Sequence, residues 1–210
     1  MFARTLKAGL VTVDPTSGTV GRVIAMQYNP ETVTRTLALQ SAGSDPGQPL
    51  RLKGVAVETI RVEAHLDATD ELADATKYPD TVQFGIHPQL AALASLVNPT
   101  VAAINANQQL AAAGSFDALA EESPLTLMVW SRERVVPVRL TELGITEELF
   151  DTRLNPIRAK VSLALRVLSV DDLGVAHHGG GVHLAYLGNL EKLAARAKSS
   201  ALETLGVTVL

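Results

Sequence analysis

Residues 157–167, IRAKVSLALRV, restrict the fold more than any other part of the chain. Ile157, Ala159, Val161, Leu163, Leu165 and Val167 fall on one side of an alternating pattern, and Arg158, Lys160, Ser162 and Arg166 fall on the other. A period of two sustained over this length is incompatible with a helix face and predicts a strand with one buried side. The preceding residues, TELGITEELFDTRLNP, are locally ambiguous. Leu143, Ile145 and Leu149 alternate with Thr146 and Glu148, but Glu147 interrupts the pattern and the glutamate pair raises helix propensity. The DTRLNP segment favours a strand: Asp, Asn and Pro make compact reversals, and Pro156 disfavours helical angles at Asn155. The expectation is one long hairpin from Leu140 to Val167.

Other segments extend the sheet. GLVTV and the run from Val20 to Gln27 flank DPTSG, which has turn chemistry, and read as a hairpin. YNPETVTRTLALQ opens with Pro30 and then alternates Val33, Arg35, Leu37 and Leu39 against Thr34, Thr36 and Ala38, a strand after a turn. Residues 41–49, SAGSDPGQP, read as a mobile loop. In GVAVETIRVEAHLDAT, Ile60, Val62, Ala64 and Leu66 share one face and Thr59, Arg61, Glu63 and His65 the other, which predicts a half-buried strand. HPQLAALASLVN and PTVAAINANQQLAAAGSFDALAEE have helical spacing and Pro near each start; they predict two helices broken at Asn98-Pro99, with Gly114 ending the second. Leu125–Trp130 and Val135–Leu140 flank SRER as another hairpin. The chain therefore reads as α+β and mainly β: a β domain over 1–170 with a helical insertion at about 86–122, then a Gly/His linker and helical extension over 171–210. On that extension Leu187, Leu190, Leu193, Ala194 and Ala197 form an apolar stripe.

Composition narrows the function classes. The 210 residues are 47% hydrophobic, enough for a full core. With 18 Lys plus Arg against 22 Asp plus Glu and no basic block, phosphate neutralisation has little to work with, and no nucleic-acid partner is expected. The absence of cysteine excludes disulfides and zinc-thiolate sites and is compatible with synthesis in a reducing cytoplasm. No apolar run approaches the roughly 20 residues that span a bilayer, so no membrane insertion is expected. Aromatic residues make up only 4%, too few for a stacking platform.

No catalytic or cofactor motif emerges, and neither catalytic residues nor a cofactor is expected. HHGGGVH places His177, His178 and His183 close enough to chelate a metal if the glycines fold back; a flexible linker with incidental histidines is preferred. Asp67, Asp70, Glu71 and Asp74 in DATDELADAT read as a solvated loop rather than a carboxylate centre. The GGG run lacks a preceding strand and a following Lys-Ser or Lys-Thr that would cradle phosphate. Trp130, at a strand end, fits a core or interface ring better than a ligand platform.

The ordered set MQYNPETVTRT, QPLRLKGVAVETIRVEAHLDAT and PLTLMVWSRERVVPVRLTELGITEELFDTRLNPIRAKVSLALRVL covers about residues 20–170. It resembles the tube and baseplate-hub adaptor proteins of phage-tail-like contractile injection systems. Tyr28, Asn29, Pro30, Glu31, Asp67, Trp130, Asn155, Pro156, Arg158 and Ala159 stand at the positions that carry the likeness. Ser131 replaces the glycine usual after the tryptophan, residues 100–113 look like an insertion, and nothing between Asp171 and Leu210 looks like a LysM module. The resemblance implies a tail-tube-like β-barrel or sandwich whose long hairpin joins a shared sheet in a homo-hexameric ring. Arg158, Lys160, Ser162 and Arg166 would face the lumen, and the partners would be the inner tube, spike or hub and baseplate proteins of an assembled particle. The C-terminal helix, tethered by GGG, is expected to act as a clamp dispensable for folding. The alternative class is a metal-dependent enzyme or cell-wall accessory using the three histidines.

Overall fold

The computed structural model describes residues 6–40, 52–112, 123–198 and Thr204. Among the described residues seven strands form one antiparallel sheet: β1 (Gly9–Val13), β2 (Val20–Ala25), β3 (Val33–Ala38), β4 (Val57–Asp67), β5 (Leu125–Val129), β6 (Val135–Phe150) and β7 (Pro156–Val167). The helices are α1 (Thr69–Leu72), α2 (Pro79–Phe84), α3 (His87–Ala94), α4 (Val101–Ala112), α5 (Val170–Leu173) and α6 (His178–Ala194). The protein is thus α+β and mainly β. The spatial order is β2-β1-β5-β6-β7-β4-β3. Because β2 and β3 are both edges, the sheet is open, and the expected closure into a barrel is not found among the described residues.

The ambiguous segment is a strand. β6 and β7 pair from Val138↔Val167 to Phe150↔Pro156, which makes the long hairpin. The register shifts between Leu140 and Glu142, so that Thr141 is an extra residue on β6. This bulge reverses the parity of β6: Val136, Val138 and Leu140 face the core before it, and Leu143 and Ile145 stand beside core residues Leu163 and Val161 after it. On β7 the predicted alternation is observed, with Ala159, Val161, Leu163, Leu165 and Val167 buried.

Val161 and Leu163 are 1% and 4% exposed within a single chain. The Val161 and Leu163 face of the hairpin is therefore covered by its own protomer. Leu10, Met26, Ile60, Met128, Val136 and Val138 share that core with Ile86, Leu90 and Leu93 from the helical segment and Tyr186 from α6. Helices complete the layer that barrel closure would otherwise supply.

Within DATDELADAT, expected as a solvated loop, residues Thr69–Leu72 form the helical turn α1, and the short helix α2 follows this stretch. α3 and α4 stand close to the expected helices, separated at Asn98-Pro99. Gly114, the end of the insertion near 122 and the loop at 41–49 lie outside the described residues.

The Gly/His stretch is the first turns of α6 rather than a linker. Gly179 and Gly180 are buried, and a Cβ on Gly180 would stand 2.0 Å from the Gly174 carbonyl oxygen, so this close approach requires glycine. The buried face of α6 is Gly179, His183 and Tyr186, with Leu190 packed beside it. Of the expected stripe, Leu193, Ala194 and Ala197 are exposed. Val182 joins a second apolar cluster with Val13, Leu125, Leu127 and Leu173.

Tyr186 is 2% exposed and belongs to the main core, so deletion of residues 182–210 is expected to lower the melting temperature or cause aggregation. Tyr186→Ala alone should cost about 3–5 kcal/mol in a urea unfolding experiment, the range for truncating a buried aromatic ring. An unchanged melt of the deletion would return α6 to the role of a detachable clamp.

Candidate assembly surface

β7 lies between β4 and β6, so each outward residue of β7 has a neighbour on both sides. Arg158 is flanked by Asp67 and Glu148, Lys160 by His65 and Thr146, Ser162 by Glu63 and Gly144, and Arg166 by Thr59 and Arg139. The four predicted polar residues are thereby brought onto one face, as alternation requires.

The β7 cations on this face are paired in cis, whereas Arg61 and Arg139 on the neighbouring strands make no ion pair among the described residues. Arg158 Nη2 lies 2.7 Å from Asp67 Oδ2, Lys160 Nζ lies 2.9 Å from Glu63 Oε2, and Arg166 Nη2 lies 2.6 Å from Asp172 Oδ1. Ser162 is exposed. Thr32, Thr34, Arg61, Glu63, Glu142 and Ser162 line a shallow groove of about 320 Å³ on the same face.

Asp67 anchors one end of this surface. Its carboxylate accepts from Thr69 N at 2.8 Å, from the Thr69 hydroxyl and from Arg158 Nε at 2.9 Å. Its backbone is clamped by Gln27, whose Nε2 donates to Asp67 O at 2.6 Å and whose Oε1 accepts from Asp67 N at 2.7 Å. The Thr69 hydrogen bonds, with Arg158 adding to them, hold the Asp67 carboxyl below its ordinary value of 3.8. Of the other carboxylates in this stretch, Glu71 accepts from the Thr81 hydroxyl at 2.5 Å and Asp74 from the Thr76 hydroxyl at 3.1 Å, while Asp70 is exposed.

The reversal at the hairpin tip is built as its sequence suggested. Asp151 Oδ1 accepts from Arg153 N at 2.7 Å and Asn155 N at 2.8 Å, and Asp151 N donates to Asn155 O at 2.9 Å. Asn155 Nδ2 and an Arg153 Nη2 donate to Gln83 O and Val82 O, tying the tip to α2. The Pro156 carbonyl accepts from Ile86 N at 2.9 Å and faces Gly85, where a Cβ would stand 2.2 Å from that oxygen. Leu149 and Leu154 adopt positive φ, 52° and 65°, a conformation leucine rarely takes, and both are exposed.

Asn29 fastens the start of the chain, with Oδ1 accepting from Ala8 N at 3.0 Å and Nδ2 donating to Leu6 O at 2.7 Å. Pro30 follows it, Tyr28 is exposed, and Trp130 packs at the margin of the core. The histidines do not converge. His177 Nδ1 caps α6 by accepting from Gly179 N at 3.0 Å, His183 Nδ1 accepts from Val170 N at 3.2 Å inside the fold, and His178 lies at the surface. Among the described residues no group of three His, Cys, Asp or Glu forms a metal site. No described helix is long and apolar enough to cross a membrane.

Sequence reasoning missed a buried polar cluster. Arg35 Nε lies 2.5 Å from Glu58 Oε1, another Arg35 nitrogen donates to the Tyr186 hydroxyl, and that hydroxyl donates to Glu58 Oε2 at 3.3 Å. Arg35 and Glu58 share the parity of the apolar residues on β3 and β4, which is the one signal in the sequence that both point inward.

β6 has a partner on both edges only at its start. β5 pairs with it from Val135 to Val138, and from Arg139 to Phe150 its sole strand partner among the described residues is β7. Ile145, Leu149 and Phe150 on this segment are 37%, 58% and 49% exposed.

No family model matches the chain, and no curated protein matches it. Among solved structures it is similar to a chain in the tail of an empty gene transfer agent particle, computed with helical refinement and C6 symmetry: 16% identity, 76% of this chain and 90% of that chain covered, TM-score 0.29. It is also similar to a chain in the virion of a native gene transfer agent particle: 13% identity, 79% and 94% covered, TM-score 0.29.

A carboxylate whose folded pKa is lowered contributes stability that is present above its unfolded value and lost as pH falls through the folded value. Asp67→Asn is therefore expected to cost about 1 kcal/mol at pH 7 and to flatten the loss of stability below about pH 4. Urea midpoints across that range check both.

Proposed function

We propose that this chain is a structural subunit of a phage-tail-like contractile particle, forming a six-fold ring that joins the inner tube to the baseplate or spike hub. The observation that carries the reading is the open edge of β6 from Arg139 to Phe150. Such an edge presents a row of unpaired backbone groups, and proteins blunt long edges with charged side chains, proline, bulges or cover, or pair them with another chain. β6 has no proline after Pro137, and its bulge at Thr141 lies near the start of the open segment. A head-to-tail ring in which each copy receives its neighbour's edge removes every such edge at once.

The resemblance of residues 20–170 to tube and baseplate-hub adaptors supports the same reading. In this ring the Arg158, Lys160, Ser162 and Arg166 face turns to the lumen. The site's ion pairs and hydrogen bonds serve positioning, which accords with a structural role.

The purified chain is expected to give a mass of six copies by native mass spectrometry, and electron microscopy of particles should show a ring at the end of the tube. Leu149→Lys with Phe150→Lys changes exposed side chains, so the melt should stay within about 2 °C per substitution while the ring is lost. A chain that remains monomeric at high concentration and is missing from particles would refute the proposal.

A further inference from the structure

His183 is 3% exposed, and the ion pairs and metal chemistry considered above make no use of it. Its Nδ1 accepts from Val170 N at 3.2 Å, which requires the neutral ring with its proton on Nε2. Val170 opens α5 directly after the Ser169 capping box, so the imidazole joins α6 to the junction where the sheet ends. One turn along α6, the Tyr186 ring lies 6.2 Å from the His183 ring and reaches Arg35 and Glu58 with its hydroxyl.

We propose that His183 is an acid-sensitive latch, whose protonation releases α6 from the sheet. A proton on Nδ1 would set two N–H donors against each other across the 3.2 Å contact and place a charge in a buried site. Tyr186 and Leu190 lie on the same helix face, so loss of this contact frees the apolar anchors of α6 together.

The surrounding charges act in both directions. Glu58 on β4 and Asp171 and Asp172 on α5 favour the protonated ring. Arg35 on β3 is occupied by Glu58, Arg166 on β7 is occupied by Asp172, and Arg134 lies near Tyr186 on the β5–β6 turn. Burial outweighs the carboxylates and holds the imidazole below its ordinary 6.5. The unfolded chain therefore takes up this proton first, and stability falls as pH drops below 6.5 until the folded ring also protonates.

Hydrogen exchange on the full chain at pH 7.5 and 5.5, corrected for intrinsic rates, tests the latch. Amides of 178–194 should lose about tenfold protection at the lower pH while those of β7 keep theirs. His183→Asn retains an acceptor for Val170 N–H without a titrating ring, so it should remove this pH dependence. Unchanged protection in the unmodified chain, or the same loss in the Asn variant, overturns the proposal. Should the Asn variant not fold, the imidazole resonance of His183 decides: titration in step with helix opening supports the latch, and opening while the ring stays neutral refutes it.

Discussion

β7 is hydrogen-bonded along both edges, to β4 from Thr59 to Asp67 and to β6 from Val138 to Phe150, and its register determines which residues of three strands are buried. A slip by one residue would turn Ala159, Val161, Leu163, Leu165 and Val167 outward and carry Arg158, Lys160 and Arg166 into the core. Each buried cation without its carboxylate would cost several kcal/mol, by order of magnitude. The ion pairs to Asp67, Glu63 and Asp172 thus reinforce a register that apolar burial already selects. Their strength as surface pairs is modest, about 0–1 kcal/mol each.

The same register explains why the half of the hairpin before the turn was harder to read than the half after it. Up to Leu140 the residues of β6 that face the main core are even-numbered, with Pro137 buried on the other side, and past the Thr141 bulge they are odd-numbered. A sequence pattern that changes parity midway matches no single strand template, whereas β7 has no such break and was legible over its whole length. Thr141 has a second tie here, its hydroxyl donating to Ala164 O at 3.0 Å.

The strands and the three hairpins were legible because alternation and turn residues are local signals. The face of α6 was not, because its buried positions are filled by Gly179, Gly180, His183 and Tyr186, residues that hydrophobic spacing passes over in favour of Leu193 and Ala197. Glycine is there for backbone approach and tyrosine for its bond to Arg35 and Glu58, reasons that depend on distant parts of the chain. The His177, His178 and His183 triplet was visible as a composition, but its three rings serve as a cap, a surface residue and a core acceptor. Barrel closure came with the resemblance and not with the strand pattern, and strand pattern alone cannot say whether helices or further strands cover a sheet.

The pairing of cations in cis bears on what the proposed ring would present to its contents. Free arginines and lysines on a closed wall would sum to a positive field, which retains polyanions and focuses with confinement. Here Arg158, Lys160 and Arg166 are each held by a carboxylate of the same chain, and Ser162 and Thr146 interrupt the charges. The pairing therefore offsets the field of the β7 cations, while Arg61 and Arg139 on the same face have no carboxylate partner among the described residues and keep theirs.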